Sequence, residues 1–300
     1  MILAALAFAA ASPSVALIVD PKHRLIEGVT GSVGALWVSS LIDRQILFCA
    51  KSCKTLVTLP DGLHPFAIDW ETHPDRIWVA ADCPPGVPFI KPCDRGALIA
   101  YDRQGRVRAR VAPASGSFHP GDVLAENGQI FVSDSQNGAV YRLPNERANA
   151  LETVVAPGVG KSAQGLAFRP ANTHLIVADY SQGIASIDLA TGARTLLPRQ
   201  DGKPLRGVDG LVRCNGTTYF GIYNGASPGR LLTIEVGRTG VVYGELIADL
   251  KLADPTQLSF DGKRLLVVAD SGWELAGKGT LRANGAPIFA IPIGKDCKPI

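Results

Sequence analysis

The sequence predicts an all-β fold: a six-bladed β-propeller with four-stranded blades. The leading observation is a phrase that recurs six times. A short apolar strand is followed, about nine residues later, by a second apolar strand ending in a small or acidic residue. The copies begin at Glu27, Phe66, Gly121, Gln164, Asp209 and Thr256, so their spacings are 39, 55, 43, 45 and 47 residues. A period of this size made only of short strands is the signature of propeller blades. Composition is the second observation. The 32 Gly and 21 Pro supply the many turns of such a fold, beside 46% hydrophobic residues. Radial repetition brings equivalent positions to one central channel, so chemistry is expected there.

Residues 1–16 stand outside the repeat. Ile2 to Ala11 is apolar, and Ser14 and Ala16 occupy the small-residue positions of a cleavage site. An export signal over 1–16 is therefore expected, followed by one propeller domain over 17–300. No Lys or Arg precedes the apolar run, and a buried N-terminal strand is the alternative. Leu17–Asp20 is apolar and extended in character. It is expected to form the outermost strand of the sixth blade, so that an N-terminal strand closes the ring. The last repeat otherwise offers only Thr256–Phe260, Lys263–Ala269 and Pro287–Pro292. In the fourth repeat the order is complete: Gln164–Phe168 innermost, then His174–Ala178, Gly183–Asp188 and Arg194–Leu197. The second repeat is longest because Asp82–Arg95 is inserted, and a long loop on one rim shapes a pocket. Gly28, Ala67, Gly165 and Gly210 share one register, where small side chains suit a crowded centre. Asp134, Asp179 and Asp270 share another and are expected to hold turns rather than act in catalysis.

Six cysteines, an even number, fit the disulfides of an exported protein. Cys49 and Cys53 flank a three-residue hairpin loop and would lie opposite each other. Cys83 and Cys93 bracket a Pro-rich loop that a disulfide would close. Cys214 and Cys297 pair only if the chain end returns to the fifth blade. The spacing of paired zinc knuckles is absent. A net charge of +3 without a Lys/Arg run leaves no nucleic-acid footprint. Beyond the N-terminus no stretch approaches 18 apolar residues, so no membrane span is expected. The expected product is a secreted or periplasmic monomer.

Four starts carry a family resemblance: Ile26-Glu27-Gly28-Val29, His119-Pro120-Gly121-Asp122-Val123, Ala163-Gln164-Gly165-Leu166 and Val208-Asp209-Gly210-Leu211. With the six-fold period they resemble the senescence-marker-protein-30/gluconolactonase family, from about residue 20 to the chain end. That family is related to paraoxonases and strictosidine-synthase-like proteins. The resemblance implies a divalent metal, usually calcium, at the channel floor. Its ligands would be a Glu of the first blade, Asn or Asp of middle blades and an Asp of the fifth. Those roles fall on Glu27, Gln164 and Asp209. The third-blade Asn is replaced by Gly121, which would leave room for water, with Asp122 following as a further candidate ligand. Calcium accepts carboxylate, amide, carbonyl and water oxygens alike. The alternative is a metal-free polar channel whose side chains bond one another.

The resemblance also places a general base on Asp209. The paraoxonase His at the second-blade start is Phe66 here, so that role is not carried over. His64 and His119 each precede a proline near a strand start. Either faces the channel mouth as a second catalytic candidate or caps a loop. No Gly-x-Ser-x-Gly elbow is present. Two function classes follow. One is a metal-dependent hydrolase of a small lactone or ester in the central channel. The other is a non-catalytic propeller that binds a small molecule or a protein partner.

Overall fold

The computed structural model of the protein describes residues 13–300. They form six four-stranded antiparallel sheets, one per blade. β1 (Ser14–Val19) comes first in the chain. Blade one is β2 (Ile26–Ser32), β3 (Ala35–Ser40), β4 (Gln45–Cys49) and β5 (Cys53–Thr58). Blade two is β6 (His64–Thr72), β7 (Asp75–Asp82), β8 (Ala97–Tyr101) and β9 (Val107–Val111). Blade three is β10 (Pro120–Glu126), β11 (Gln129–Asp134), β12 (Val140–Leu143) and β13 (Glu152–Val155). Blade four is β14 (Ala163–Phe168), β15 (His174–Asp179), β16 (Gly183–Asp188) and β17 (Arg194–Leu196). Blade five is β18 (Val208–Asn215), β19 (Thr218–Tyr223), β20 (Arg230–Val236) and β21 (Val241–Glu245). Blade six is β22 (Leu258–Phe260), β23 (Arg264–Val268) and β24 (Ala286–Pro292), with β1 on its outer edge.

The ring is therefore closed by the N-terminal strand. β1 pairs with β24 from Ser14 opposite Ala290 to Val19 opposite Ala286. It starts three residues before the expected Leu17, so the boundary expected after residue 16 falls inside a strand. The rest of the expected signal, residues 1–12, lies outside the described residues.

Period-two alternation explains how the blades pack. Every second strand is apolar on both faces because both faces meet a neighbouring blade. In β7, Ile77, Val79 and Ala81 enter the core shared with blade one. Trp78 and Ala80 enter the core shared with blade three. In β15, Leu175 and Val177 face blade three, while Ile176 and Ala178 face blade five. In β23, Leu265 and Val267 face blade five. Leu266 and Val268 meet Val29 and Val38 of blade one, which seals the ring. Three disulfides add covalent ties: Cys49–Cys53 across the β4–β5 hairpin, Cys83–Cys93 within the blade-two insertion, and Cys214–Cys297. The chain end does return to blade five, where Asn215 Nδ2 also donates to Lys295 O at 2.7 Å. No described helix is long and apolar enough to cross a membrane.

The insertion and a short helix, α1 (Trp273–Gly277), meet over blades one and two. Val87 and Ile90 of the insertion share a core with Ala276 and Leu281. Both elements thus crowd one rim of the channel.

Candidate functional site

Five innermost strands break register at the same place. Pairing skips from Ile26 to Val29, Pro65 to Ile68, Pro120 to Val123, Ala163 to Leu166 and Val208 to Leu211. The two residues in each gap form a bulge: Glu27-Gly28, Phe66-Ala67, Gly121-Asp122, Gln164-Gly165 and Asp209-Gly210. A bulge re-aims side chains and is common beside functional sites. Here the first bulge residues turn to the axis. Glu27, Phe66, Gln164 and Asp209 line a cavity of about 360 Å³ with Thr256 of blade six, Tyr180, Asn224, Asp254 and Trp273.

Gly121 does not line that cavity. A Cβ at position 121 would stand 2.6 Å from Gln164 Oε1. The space expected to hold water is filled by the amide of Gln164, whose extra methylene reaches over the glycine.

Second bulge residues are small in four blades, but blade three has Asp122, and Gln257 follows Thr256 in blade six. These two form a polar floor below the cavity. Gln257 Nε2 donates to Asp122 Oδ1 at 3.2 Å and to Ile68 O at 3.2 Å. Asp122 Oδ1 also accepts from Val123 N at 2.8 Å, and Oδ2 accepts from Leu166 N at 3.2 Å. Asp122 was expected among the ligands. It lies one residue further along its bulge, hence one tier below Glu27 and Asp209, with both oxygens engaged.

Four lining residues had not been anticipated. Trp273 Nε1 donates to Glu27 Oε2 in a short contact. Asn224 Nδ2 donates to Asp209 Oδ2 at 2.8 Å and to Pro255 O at 3.0 Å. Asn224 follows β19 as Tyr180 follows β15, so the two share a register that the repeat alignment contains. Asp254 and Trp273 precede β22 and follow β23, in blade six, where no repeat signal marks them.

His64 and His119 are not brought into the cavity. His64 Nδ1 bonds Leu41 O of blade one at 2.7 Å, and burial lowers the pKa of its ring. His119 Nδ1 lies 3.2 Å from Asp82 Oδ1 of blade two. Each reaches back to the preceding blade, so the pair ties blades together. Asp134 and Asp179 hold turns as expected: Asp134 Oδ1 accepts from Gln136 N and Asn137 N, and Asp179 Oδ1 from Ser181 N and Gln182 N.

The electrostatics set the cavity apart. No Lys, Arg or His is among its described lining residues. Burial raises Glu27 well above the usual carboxylate range, and the Asp209 charge adds to it. Burial pushes Asp209 up to about 6 despite the Asn224 hydrogen bond. Asp122 is raised to about 7 by burial, with the Asp69 and Asp209 charges contributing. These are carboxylates desolvated without a counter-charge.

The donor chemistry bears on the metal that the resemblance implies. Among the described residues no three Asp, Glu, His or Cys side chains form a group that could hold an ion. The set present is two carboxylates and two amides: Glu27, Asp209, Gln164 and Asn224. Asn224 Oδ1 is buried without a hydrogen-bond partner. Oxygen-only donors with an orphaned amide oxygen fit calcium and do not fit zinc.

Sequence comparison matches no family model and no curated protein. The fold matches solved structures. A gluconolactonase from Xanthomonas campestris shares 16% identity at a TM-score of 0.62, over 94% of this chain and 89% of that one. The calcium-binding protein regucalcin from Agrobacterium tumefaciens shares 14% identity at 0.61, over 93% of each chain. The PQQ-bound form of an aldose sugar dehydrogenase from Streptomyces coelicolor shares 13% at 0.63, over 93% and 97%. One fold thus carries different chemistries, and function rests on the site. The chain shares the six-bladed fold of gluconolactonase- and regucalcin-like propellers, in keeping with the resemblance its motifs carry.

Proposed function

We propose that the protein hydrolyses a small lactone or ester in the axial cavity, with a divalent cation, calcium by its donor set, as cofactor. The observation that supports this most is the pair Glu27 and Asp209. Bulges on two inner strands aim both carboxylates into one axial cavity that has no cationic side chain among its described lining residues. Glu27, Asp209, Gln164 and Asn224 would hold the ion. Bound there, calcium supplies Lewis acidity toward an ester carbonyl.

The chain's own groups perform the remaining tasks. Asp209, aimed into the cavity by its bulge, takes a proton from the attacking water. Asn224 holds Asp209 Oδ2, which leaves Oδ1 for that water. Trp273 fixes Glu27 and, edge-on to Phe66 at 6.0 Å between ring centroids, walls the cavity on one side. The reading includes export, since three disulfides persist in an oxidising compartment.

A non-catalytic binding role is favoured by a different observation. Both histidines are engaged elsewhere and Glu27 is already bonded to Trp273. One experiment separates the two readings: lactone hydrolysis after EDTA treatment and after restoring calcium or manganese, with calcium titrated by calorimetry. Calcium binding with calcium-restored turnover, both lost in Asp209→Asn, supports the hydrolase. Turnover indifferent to EDTA and to Asp209→Asn overturns it.

A further inference from the structure

The cavity carries more negative charge than a metal centre needs. Three carboxylates from three blades line it: Glu27, Asp209 and Asp254. Each is held through one oxygen by a neutral donor. Trp273 Nε1 holds Glu27 Oε2, Asn224 Nδ2 holds Asp209 Oδ2, and the backbone N–H of Glu274 holds Asp254 Oδ2 at 2.9 Å. The second oxygen of each has no hydrogen-bond partner among the described residues. Glu27 is only 6% exposed as a residue, and it lines the cavity.

The walls are aromatic. Phe66 of blade two, Tyr180 of blade four and Trp273 of α1 contribute their rings, with Phe66 and Trp273 set at 67°. Asp254 lies beside this wall. The loop from Ser271 to Glu274 wraps it, with Ser271 N donating to Asp254 O at 2.8 Å. A ring face attracts a cation through its quadrupole, and carboxylates do so through charge. A cavity with both, and with no basic side chain, repels a free carboxylate or phosphate. The amide and carboxylate set of Glu27, Asp209, Gln164 and Asn224 accounts for a metal. Asp254 and the rings remain unexplained by it.

We propose that the cavity takes an organic cation, a molecule whose ammonium group seats between Asp254 and the rings of Phe66 and Trp273. A substrate ester or lactone would then bear an amino or quaternary ammonium group. The inference shares its cavity with the proposed hydrolysis but not its metal, so each can fail without the other.

Choline serves as the probe and dimethylbutanol as its uncharged carbon isostere, each titrated by calorimetry into the full-length protein with EDTA and again with calcium. Choline is expected to bind more tightly than the isostere by about tenfold or more, the order of a desolvated cation–π contact. Asp254→Asn and Phe66→Leu should each remove most of that preference, while calcium still binds, more weakly in Asp254→Asn for the lost charge. Asp254→Glu should retain it, which separates a lost charge from a misfolded loop. Choline binding without calcium binding supports the ammonium site and counts against the metal reading alone. Calcium binding with no preference for choline overturns the ammonium site alone. A preference that survives both Asp254→Asn and Phe66→Leu overturns the assignment to these residues.

Discussion

Removing the Cys214–Cys297 bridge should cost more stability than removing either other disulfide, because of what each closes. The three bridges span 83, 10 and 4 residues for Cys214–Cys297, Cys83–Cys93 and Cys49–Cys53. Loop-closure entropy in the unfolded chain then gives about 4.6, 2.7 and 1.9 kcal/mol, respectively. The longest bridge also joins blade five to the chain end beyond β24. Cys297 is buried there among Phe220, Leu265 and Ile293. Replacing it with Ala removes sulfur packing as well, which acts in the same direction. The assay is equilibrium urea unfolding of the oxidised protein, followed by tryptophan fluorescence. The wild type is compared with Cys214→Ala/Cys297→Ala, Cys83→Ala/Cys93→Ala and Cys49→Ala/Cys53→Ala. The expected order of loss follows the loop lengths. If the Cys49–Cys53 variant loses as much as the Cys214–Cys297 variant, unfolded-state entropy is not what the bridges supply.

Three further outcomes follow from the site and the packing around it. Glu27, Asp69, Asp122 and Asp209 all titrate higher in the folded chain than in the unfolded one, so folding takes up protons. For Asp69, Asp122 and Asp209 that contribution is present below about pH 4 and is lost as pH rises through about 6 to 7, and Glu27, raised well above the carboxylate range, acts in the same direction. In EDTA the protein should melt lower at pH 8 than at pH 5, and calcium should restore part of the difference at pH 8; a melting temperature that rises with pH contradicts this. Trp273→Phe keeps an aromatic ring but removes the donor to Glu27, at a cost of about 1.5–3 kcal/mol in urea unfolding. An unchanged midpoint would show that the indole does not hold Glu27. Gly165→Ala would place a Cβ 2.4 Å from Leu211 N, where the backbone of the next blade must shift. It should destabilise by about 1–3 kcal/mol, read as a lower urea midpoint, and a neutral result would mean the blades can part at the axis.

The sequence by itself determined the blades. Strand alternation is a local property, and six copies of one phrase each encode a strand with two buried faces, as Leu175 to Ala178 shows. Closure by the N-terminal strand was legible too, because the last repeat lacked a fourth strand. Glu27, Gln164 and Asp209 were legible as a group, since equal positions in a radial repeat converge wherever the blades sit. Pairing of Cys214 with Cys297 was decided only when the chain end came back to blade five. The height of each side chain along the axis was likewise a tertiary matter. The bulges separate Asp122 from Glu27 by one tier, and a bulge is defined by two strands together, not by either alone. Asp254 and Trp273 lie in blade-six connections without a repeat signal, and packing of α1 against the blade-two insertion brings Trp273 onto Glu27. For His64 and His119 the sequence leaves two places open, the channel mouth or a loop cap. Their rings instead turned to a backbone carbonyl and a carboxylate of the preceding blade, since a buried polar group takes the partner that is nearest in space.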